Sequence, residues 1–201
     1  MPAGLILAGG RSSRFGSDKA AARIDGRSLL DLGALALGEH CTRLAVSAAP
    51  GSAGAQLAVG LGLAVVSDRP GDAPSPLAGV RAGLEWIAEL GVQSLAVRAV
   101  DTPFIPPTIL GGLLDTIGPA PAVYSITDLG PEPLCSLWSL AALPPLAEAL
   151  ASRRHPPIHR FLDSIGAGAF IAPDADVFAN INSREDLVLA QSRRDLWWRM
   201  R

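Results

Sequence analysis

The amino-acid sequence predicts an α/β fold with a mostly parallel central sheet and helices on both faces. Short apolar runs alternate with helix-like segments from the first residues onward, the pattern of repeated strand–helix units. Each early run ends near a glycine or a polar residue. The 201 residues, 49% hydrophobic and 18% charged, are enough to bury one full core. No repeat and no long linker divides the chain, so a single domain over residues 1–201 is expected.

The strands are read first. Leu5 to Ala8, Leu44 to Ala48, Leu63 to Ser67 and Leu95 to Val100 form four apolar runs. The first ends at Gly9 and Gly10, the third at Asp68 and the fourth at Asp101. Open α/β sheets bind ligands outside the carboxyl ends of their strands, so these polar endings are expected to meet at one edge. Helices are predicted for Leu29 to Leu37, Leu77 to Leu90 and about Pro107 to Ile117. Ser75 followed by Pro76 gives an N-cap and a first-turn proline for the second of these. The stretch from Asp68 to Pro76 reads as an ordered loop over the site.

Beyond residue 119, strands are expected at Ala122 to Ile126 and Leu134 to Trp138, and helices at Ala141 to Ala151 and Ile158 to Ile165. A last helix starts after Ser183, with Ser183 and Asp186 as a capping-box-like pair, and runs to the C-terminus. Phe178, Asn180 and Asn182 alternate as on one strand face, although asparagines before a helix are also ordinary turn residues.

Composition narrows the function classes. The formal net charge is -2, and no block of like charge suggests nucleic acid as partner. The opening apolar run is short, lacks a basic flank and is broken by Gly9 and Gly10. Neither a signal peptide nor a membrane span is expected, and the protein is placed in the cytoplasm. Cys41 and Cys135 are far apart and outside any CxxC or Cys/His cluster, so both are read as buried thiols.

The segment Leu7 to Lys19, LAGGRSSRFGSDK, carries the chemistry. Its glycines allow a close backbone approach to a phosphate, and Arg11, Arg14 and Lys19 supply positive charge against Asp18 alone. It is neither a GxxxxGK[ST] loop nor a GxGxxG fingerprint. A glycine-rich turn with solvated basic side chains is the plainer alternative, which the length and content of the stretch outweigh.

LAGGRSSRFGSDK resembles the signature loop of the MobA family of molybdenum cofactor guanylyltransferases, LAGGxSxRMGxDK, with Phe15 in place of the usual methionine. DRPGDAPSPLAG (68–79) resembles the family's DxxxxxGPLAG segment, AVDTPFIPP (99–107) its CDTPxIPP segment, and FANINSREDL (178–187) its VNVNTPEEL segment. The four motifs stand in the family's order and span almost the whole chain.

The resemblance implies a Rossmann-like nucleotidyltransferase fold, with residues 1–110 on the nucleotide side and 111–201 on the pterin side. It implies transfer of GMP from GTP to the terminal phosphate of molybdopterin, with Mg2+ as cofactor. Other proteins of cofactor biosynthesis and apo-molybdoenzymes are implied as transient partners, and neither nucleic acid nor membrane. Leu7, Ala8 and Gly9 fall on the nucleotide-contacting backbone and Lys19 on the phosphate-neutralising lysine; Gly10 is counted with the nucleotide-binding residues, and Arg14, which can hold a phosphate by two parallel hydrogen bonds, with the catalytic ones. Asp68 and Gly79 fall in the guanine-nucleotide segment, and Asp101 on the magnesium aspartate. Asn180 and Asn182 fall on the family's NxN. Ser47 stands where the family often has asparagine, and its alternative role is to end a strand. Related cytidylyltransferases carry LAAG, so Gly10 favours guanine.

Other readings share these motifs: a CTP-dependent transferase or another phosphate acceptor, and a non-catalytic GTP-binding protein that delivers cofactor. The run Arg153, Arg154, His155, His159 and Arg160 falls near the family's pterin side, and most of it reads as a solvated helix end. Arg98, inside an apolar strand, is expected to pair with a carboxylate. Trp197 and Trp198, flanked by arginines, are expected to pack on the parent domain rather than on a membrane surface.

Overall fold

Seven strands form one sheet in the computed structural model, which describes residues 1–9, 19–151 and 155–192. In chain order the strands are β1 (Ala3–Leu7), β4 (Leu44–Ser47), β5 (Ala64–Val66), β6 (Ser94–Ala99), β7 (Ala122–Thr127), β8 (Gly130–Ser139) and β9 (Gly168–Ile171). The remaining two, β2 (Arg23–Ile24) and β3 (Arg27–Ser28), make a separate small hairpin. The helices are α1 (Leu29–Gly38), α2 (Ala53–Gly60), α3 (Pro76–Glu89), α4 (Pro107–Thr116), α5 (Leu143–Ala149), α6 (Ile158–Ser164) and α7 (Arg184–Ser192).

Strand order across the sheet is β5-β4-β1-β6-β8-β7-β9. β5, β4, β1 and β6 are parallel, β8 runs against both β6 and β7, and β9 is parallel to β7. Only β8 is therefore reversed, which gives the mostly parallel sheet expected. Side chains alternate across β1 and β6 and feed two cores. Ile6, Ala96 and Val100 pack with residues of α1, α2, α4 and α7; Leu5, Leu95 and Val97 pack with residues of α3, α5 and α6. Helices thus cover both faces.

The helix starts follow their caps. Ser28 and Asp31 close a reciprocal capping box at α1, and Ser75 Oγ accepts from the N–H of Ala78 ahead of Pro76 at α3. Glycines let α3 lie close on the sheet. A Cβ on Gly79 would come within 2.7 Å of Ser47 Oγ and 2.9 Å of Leu7 Cδ2, and one on Gly83 within 2.7 Å of Leu5 Cδ2.

Several expectations are corrected. Phe178, Asn180 and Asn182 do not share a strand face. Residues Ala175–Phe178 form a 3-10 helix started by the Asp174 carboxylate, Phe178 and Ile181 turn inward, and Asn180 and Asn182 are exposed. The reason is a backbone bond: the N–H of Ile181 donates to the Asp101 carbonyl at 2.8 Å and ties this segment to the end of β6. Arg98 makes no ion pair among the described residues, and its guanidinium donates to the Thr102 carbonyl instead. α7 is described as far as Ser192; the remainder of the predicted last helix, with Trp197 and Trp198, lies outside the described residues. Three elements were not expected: α2, the β2–β3 hairpin and the edge strand β9. No helix among the described residues is long and apolar enough to cross a membrane. Cys41 and Cys135 are free and buried, as expected.

Candidate active site at the carboxyl edge of the sheet

β1, β4, β5 and β6 end side by side, and backbone bonds stitch their ends together. Ala8 N–H donates to the Ser47 carbonyl (3.0 Å), Ala48 N–H to the Val66 carbonyl (3.1 Å) and Val100 N–H to the Leu7 carbonyl (3.1 Å). The polar endings read from the sequence therefore do meet at one edge. Gly9 is exposed there, with open space where a Cβ would stand. Gly10, Arg11, Arg14, Phe15 and Asp18 lie outside the described residues, so the loop is seen here only at its two ends.

At the far end of the loop, Lys19 stands at the start of a single 3-10 turn, Lys19–Ala21. Its Nζ donates to Asn182 Oδ1 at 2.7 Å and to Asp101 Oδ2 at 3.1 Å. The two side chains of the ion pair remain 20% and 23% exposed, open enough to receive a ligand. Three of the four motifs, separated by 82 and 163 positions, thus converge on one ammonium.

Each partner is held from behind. Asp101 follows β6, with its carbonyl fixed by Ile181 and the next residue, Thr102, bonded through Oγ1 to the Ala99 carbonyl (3.2 Å). Asn182 is held by Asp186, whose Oδ2 accepts from the N–H groups of Asn182 and Ser183, each at 2.8 Å. The N–H of Asp186 in turn donates to Ser183 Oγ at 3.0 Å, completing the start of α7. The Asn182 N–H, followed by the Ser183 hydroxyl, holds the Asp186 carboxyl below its ordinary range.

The remaining motif builds a second polar group in the segment that follows β5. Asp68 is exposed at the head of its loop. Partial desolvation, then the neighbouring Asp72 charge, raises its carboxyl above the ordinary range, while Arg81 and His155 oppose the shift. Arg81, buried on α3, pairs with Asp72 in the loop and reaches Glu85 at 3.6 Å. His155 Nδ1 lies 2.8 Å from Ser75 Oγ, joining the segment before α6 to the cap of α3. Sequence reasoning missed Arg81 and left His155 in an undivided basic run. The available signal for Arg81 was a charge inside the apolar stripe Leu77, Val80, Leu84. His159 and Arg160 are exposed on α6, as a solvated helix end should be, and Arg153 and Arg154 lie outside the described residues. Ser47 ends β4 as its alternative reading held; it is 5% exposed and lies against Gly79. Gly79 thereby serves the approach of α3.

A mostly parallel sheet whose strand-end aspartate meets the lysine that closes a glycine-rich segment fits the class of Rossmann-like nucleotidyltransferases. The family is then fixed by comparison. Residues 4–167 match the MobA-like NTP transferase domain, and the chain belongs to that family. It is 35% identical to a molybdenum cofactor guanylyltransferase of Rhodobacter capsulatus, over 95% of this chain and 95% of the relative. It is 38% identical to one of Cereibacter sphaeroides, over 94% and 95% of the two chains. Among solved structures it resembles the molybdopterin-guanine dinucleotide biosynthesis protein A of Archaeoglobus fulgidus, with a TM-score of 0.74 at 21% identity, covering 96% of this chain and 98% of that one. A 2-C-methyl-D-erythritol 4-phosphate cytidylyltransferase of Thermus thermophilus shares the fold at TM-score 0.68 and 16% identity, over 97% and 100%.

Proposed function

We propose that this chain transfers GMP from GTP to the terminal phosphate of molybdopterin, forming molybdopterin guanine dinucleotide and releasing pyrophosphate. The observation that carries the reading is the convergence of Asp101 and Asn182 on Lys19 at the sheet edge. The names of the relatives that cover nearly the whole chain support the choice of substrates.

An oxygen of the molybdopterin phosphate attacks the α-phosphorus of GTP; a new P–O bond forms there as the bond to the bridging β-phosphate oxygen breaks. No side chain is needed as general base, because a phosphate monoester with a second pKa of about 6 is already largely anionic. The protein aligns the phosphates and offsets their charge. Lys19, the amides of Gly9 and Gly10, and Arg14 do this, while Leu7 and Ala8, the latter with its N–H held by the Ser47 carbonyl, border the nucleotide with their backbone. Asp68, Gly79 and Ser47 line the nucleoside side, Gly10 sets the choice of guanine, and Asn180 and Asn182 serve the pterin side. Residues 1–110 thus bind nucleotide and residues 111–201 the acceptor, within a single domain.

The donors present suit Mg2+. Asp101 and Asn182 aim hard oxygens at one point, at present filled by the Lys19 ammonium. No group of three or more metal-ligating side chains exists among the described residues. That fits an ion that takes one or two carboxylates and completes its shell with water and substrate phosphates. When bound, Mg2+ would neutralise charge on the phosphate oxygens; Asp101 would hold it, and the Lys19 ammonium would serve the triphosphate. The protein works in the cytoplasm, where apo-molybdoenzymes and other proteins of cofactor synthesis are its transient partners.

Pyrophosphate release with GTP or CTP, with and without molybdopterin, tests the proposal. We expect release with GTP and molybdopterin together. Asp101→Ala should abolish it while leaving circular dichroism and melting unchanged. Preference for CTP would make the chain a cytidylyltransferase. GTP binding without release would make it a carrier, and full activity of the Asp101 variant would overturn the mechanism.

A further inference from the structure

Arg81 and Arg98 are the buried cations among the described residues. Arg81 has Asp72 and Glu85 beside it; Arg98, 3% exposed, has no carboxylate within ion-pair distance among the described residues. It points from the next-to-last residue of β6 into a small cavity lined by Leu37, Ile105, Leu110, Cys135 and Ser136. Burial pushes its guanidinium down to about 10. Its Nε has no hydrogen-bond partner there, and one Nη donates to the Thr102 carbonyl. A buried charge without a counter-charge is a costly arrangement, and such departures from good packing concentrate at functional sites.

The geometry of that bond gives the arginine a task. Four residues of extended strand span roughly 13 Å, so the Arg98 side chain meets the Thr102 carbonyl only if the chain turns back between them. The turning residues are Val100 and Asp101. Thr102 Oγ1 on the Ala99 carbonyl and Ile181 N–H on the Asp101 carbonyl close the same turn from two other sides.

We propose that Arg98 is a positioning residue for the metal-binding carboxylate: by holding the Thr102 carbonyl from inside the core, it fixes the turn that presents Asp101. This rests on Asp101 being the metal ligand, as argued above. Arg98 touches neither nucleotide nor metal; it removes the freedom that the carboxylate would otherwise lose on binding the ion.

The test reads Mn2+ binding to the protein–GTP complex by electron paramagnetic resonance, without acceptor or turnover. Arg98→Met is expected to raise the Mn2+ dissociation constant about tenfold and to leave metal-free GTP affinity within twofold. Arg98→Lys, which keeps one donor and the charge, is expected to return Mn2+ affinity to within threefold of the wild type. Should the methionine variant not fold, Arg98→Gln makes the same comparison, since its shorter side chain falls short of the Thr102 carbonyl. Unchanged Mn2+ affinity, or an equal loss of metal-free GTP affinity, overturns the proposal. Asp101→Ala with wild-type Mn2+ affinity would overturn the reading beneath it. A wild-type protein that binds Mn2+ and GTP yet releases no pyrophosphate would overturn only the transfer reaction.

Discussion

Lys19 donates to two acceptors at once, and under the proposed function both would yield part of that contact to the phosphates. The lysine is thereby kept in place without being satisfied so well that it cannot leave. Its compact ammonium suits a position shared between a carboxylate and a phosphate, whereas the broad fork of an arginine does not. Lys19→Met should lower kcat by about 10² to 10³, the usual scale for loss of a charge-stabilising donor, and Lys19→Arg should not rescue it. Asn182→Ala, which removes a neutral partner of Lys19 and leaves the charged pair with Asp101, should cost about tenfold; steady-state kinetics with GTP checks all three. Lys19, Asp101 and Asn182 were legible because each sits in a motif with its own spacing. Arg81 and Arg98 were not, because a lone charge in an apolar pattern does not declare its partner. A carboxylate was expected for Arg98, and a backbone carbonyl four residues on took that place.

α3 shapes the site through its close packing on the sheet. Gly79 and Gly83 lie one turn apart on its inner face, and their missing side chains let it settle onto β1 and β4. Gly83→Ala should destabilise the protein by about 1 kcal/mol. Forcing a methyl group against Leu5 and Leu95 costs about 1–3 kcal/mol, and the better helix propensity of alanine offsets up to about 1 kcal/mol. Urea denaturation measures the difference, and a variant more stable than the parent would contradict the close packing. The caps of α3 and α7 were read correctly from Ser75–Pro76 and Ser183–Asp186, since these signals are local. The missed elements lack such signals. α2, AGAQLAVG, is dominated by small residues with little periodicity, and the hairpin strands have two residues each. The turn that joins those strands did leave a trace, because Asp25 and Gly26 both take positive φ as a tight hairpin demands. β9 is four residues, GAFI, opening on a glycine, too short a run to be read as a strand from sequence.

On the scale of the whole molecule, the alternating pattern made the α/β class readable, but the reversal of β8 was not. Its direction depends on the short link from β7, not on the character of either strand. Both thiols lie in the core on the α1 and α4 face of the sheet and report on its integrity. Burial raises Cys41 from 9.0 to about 12 and Cys135 from 9.0 to about 11. Such groups remain neutral in the fold while they ionise in the unfolded chain. The stability they confer is therefore intact below pH 9 and is lost as the pH climbs toward 11–12. We expect a falling urea midpoint across that alkaline range, and thiols silent to a disulfide reagent at pH 8 until the protein unfolds. Rapid labelling of the native protein would contradict this. The bond from Lys19 to Asn182 also dictates an order of events. A growing chain finishes the nucleotide loop early, but the asparagine that receives its lysine is made 163 residues later. Contacts that distant in sequence close slowly and late. A partly made chain therefore has the loop proposed to grip phosphate without its finished centre, and activity is expected only once Asn182 reaches Lys19.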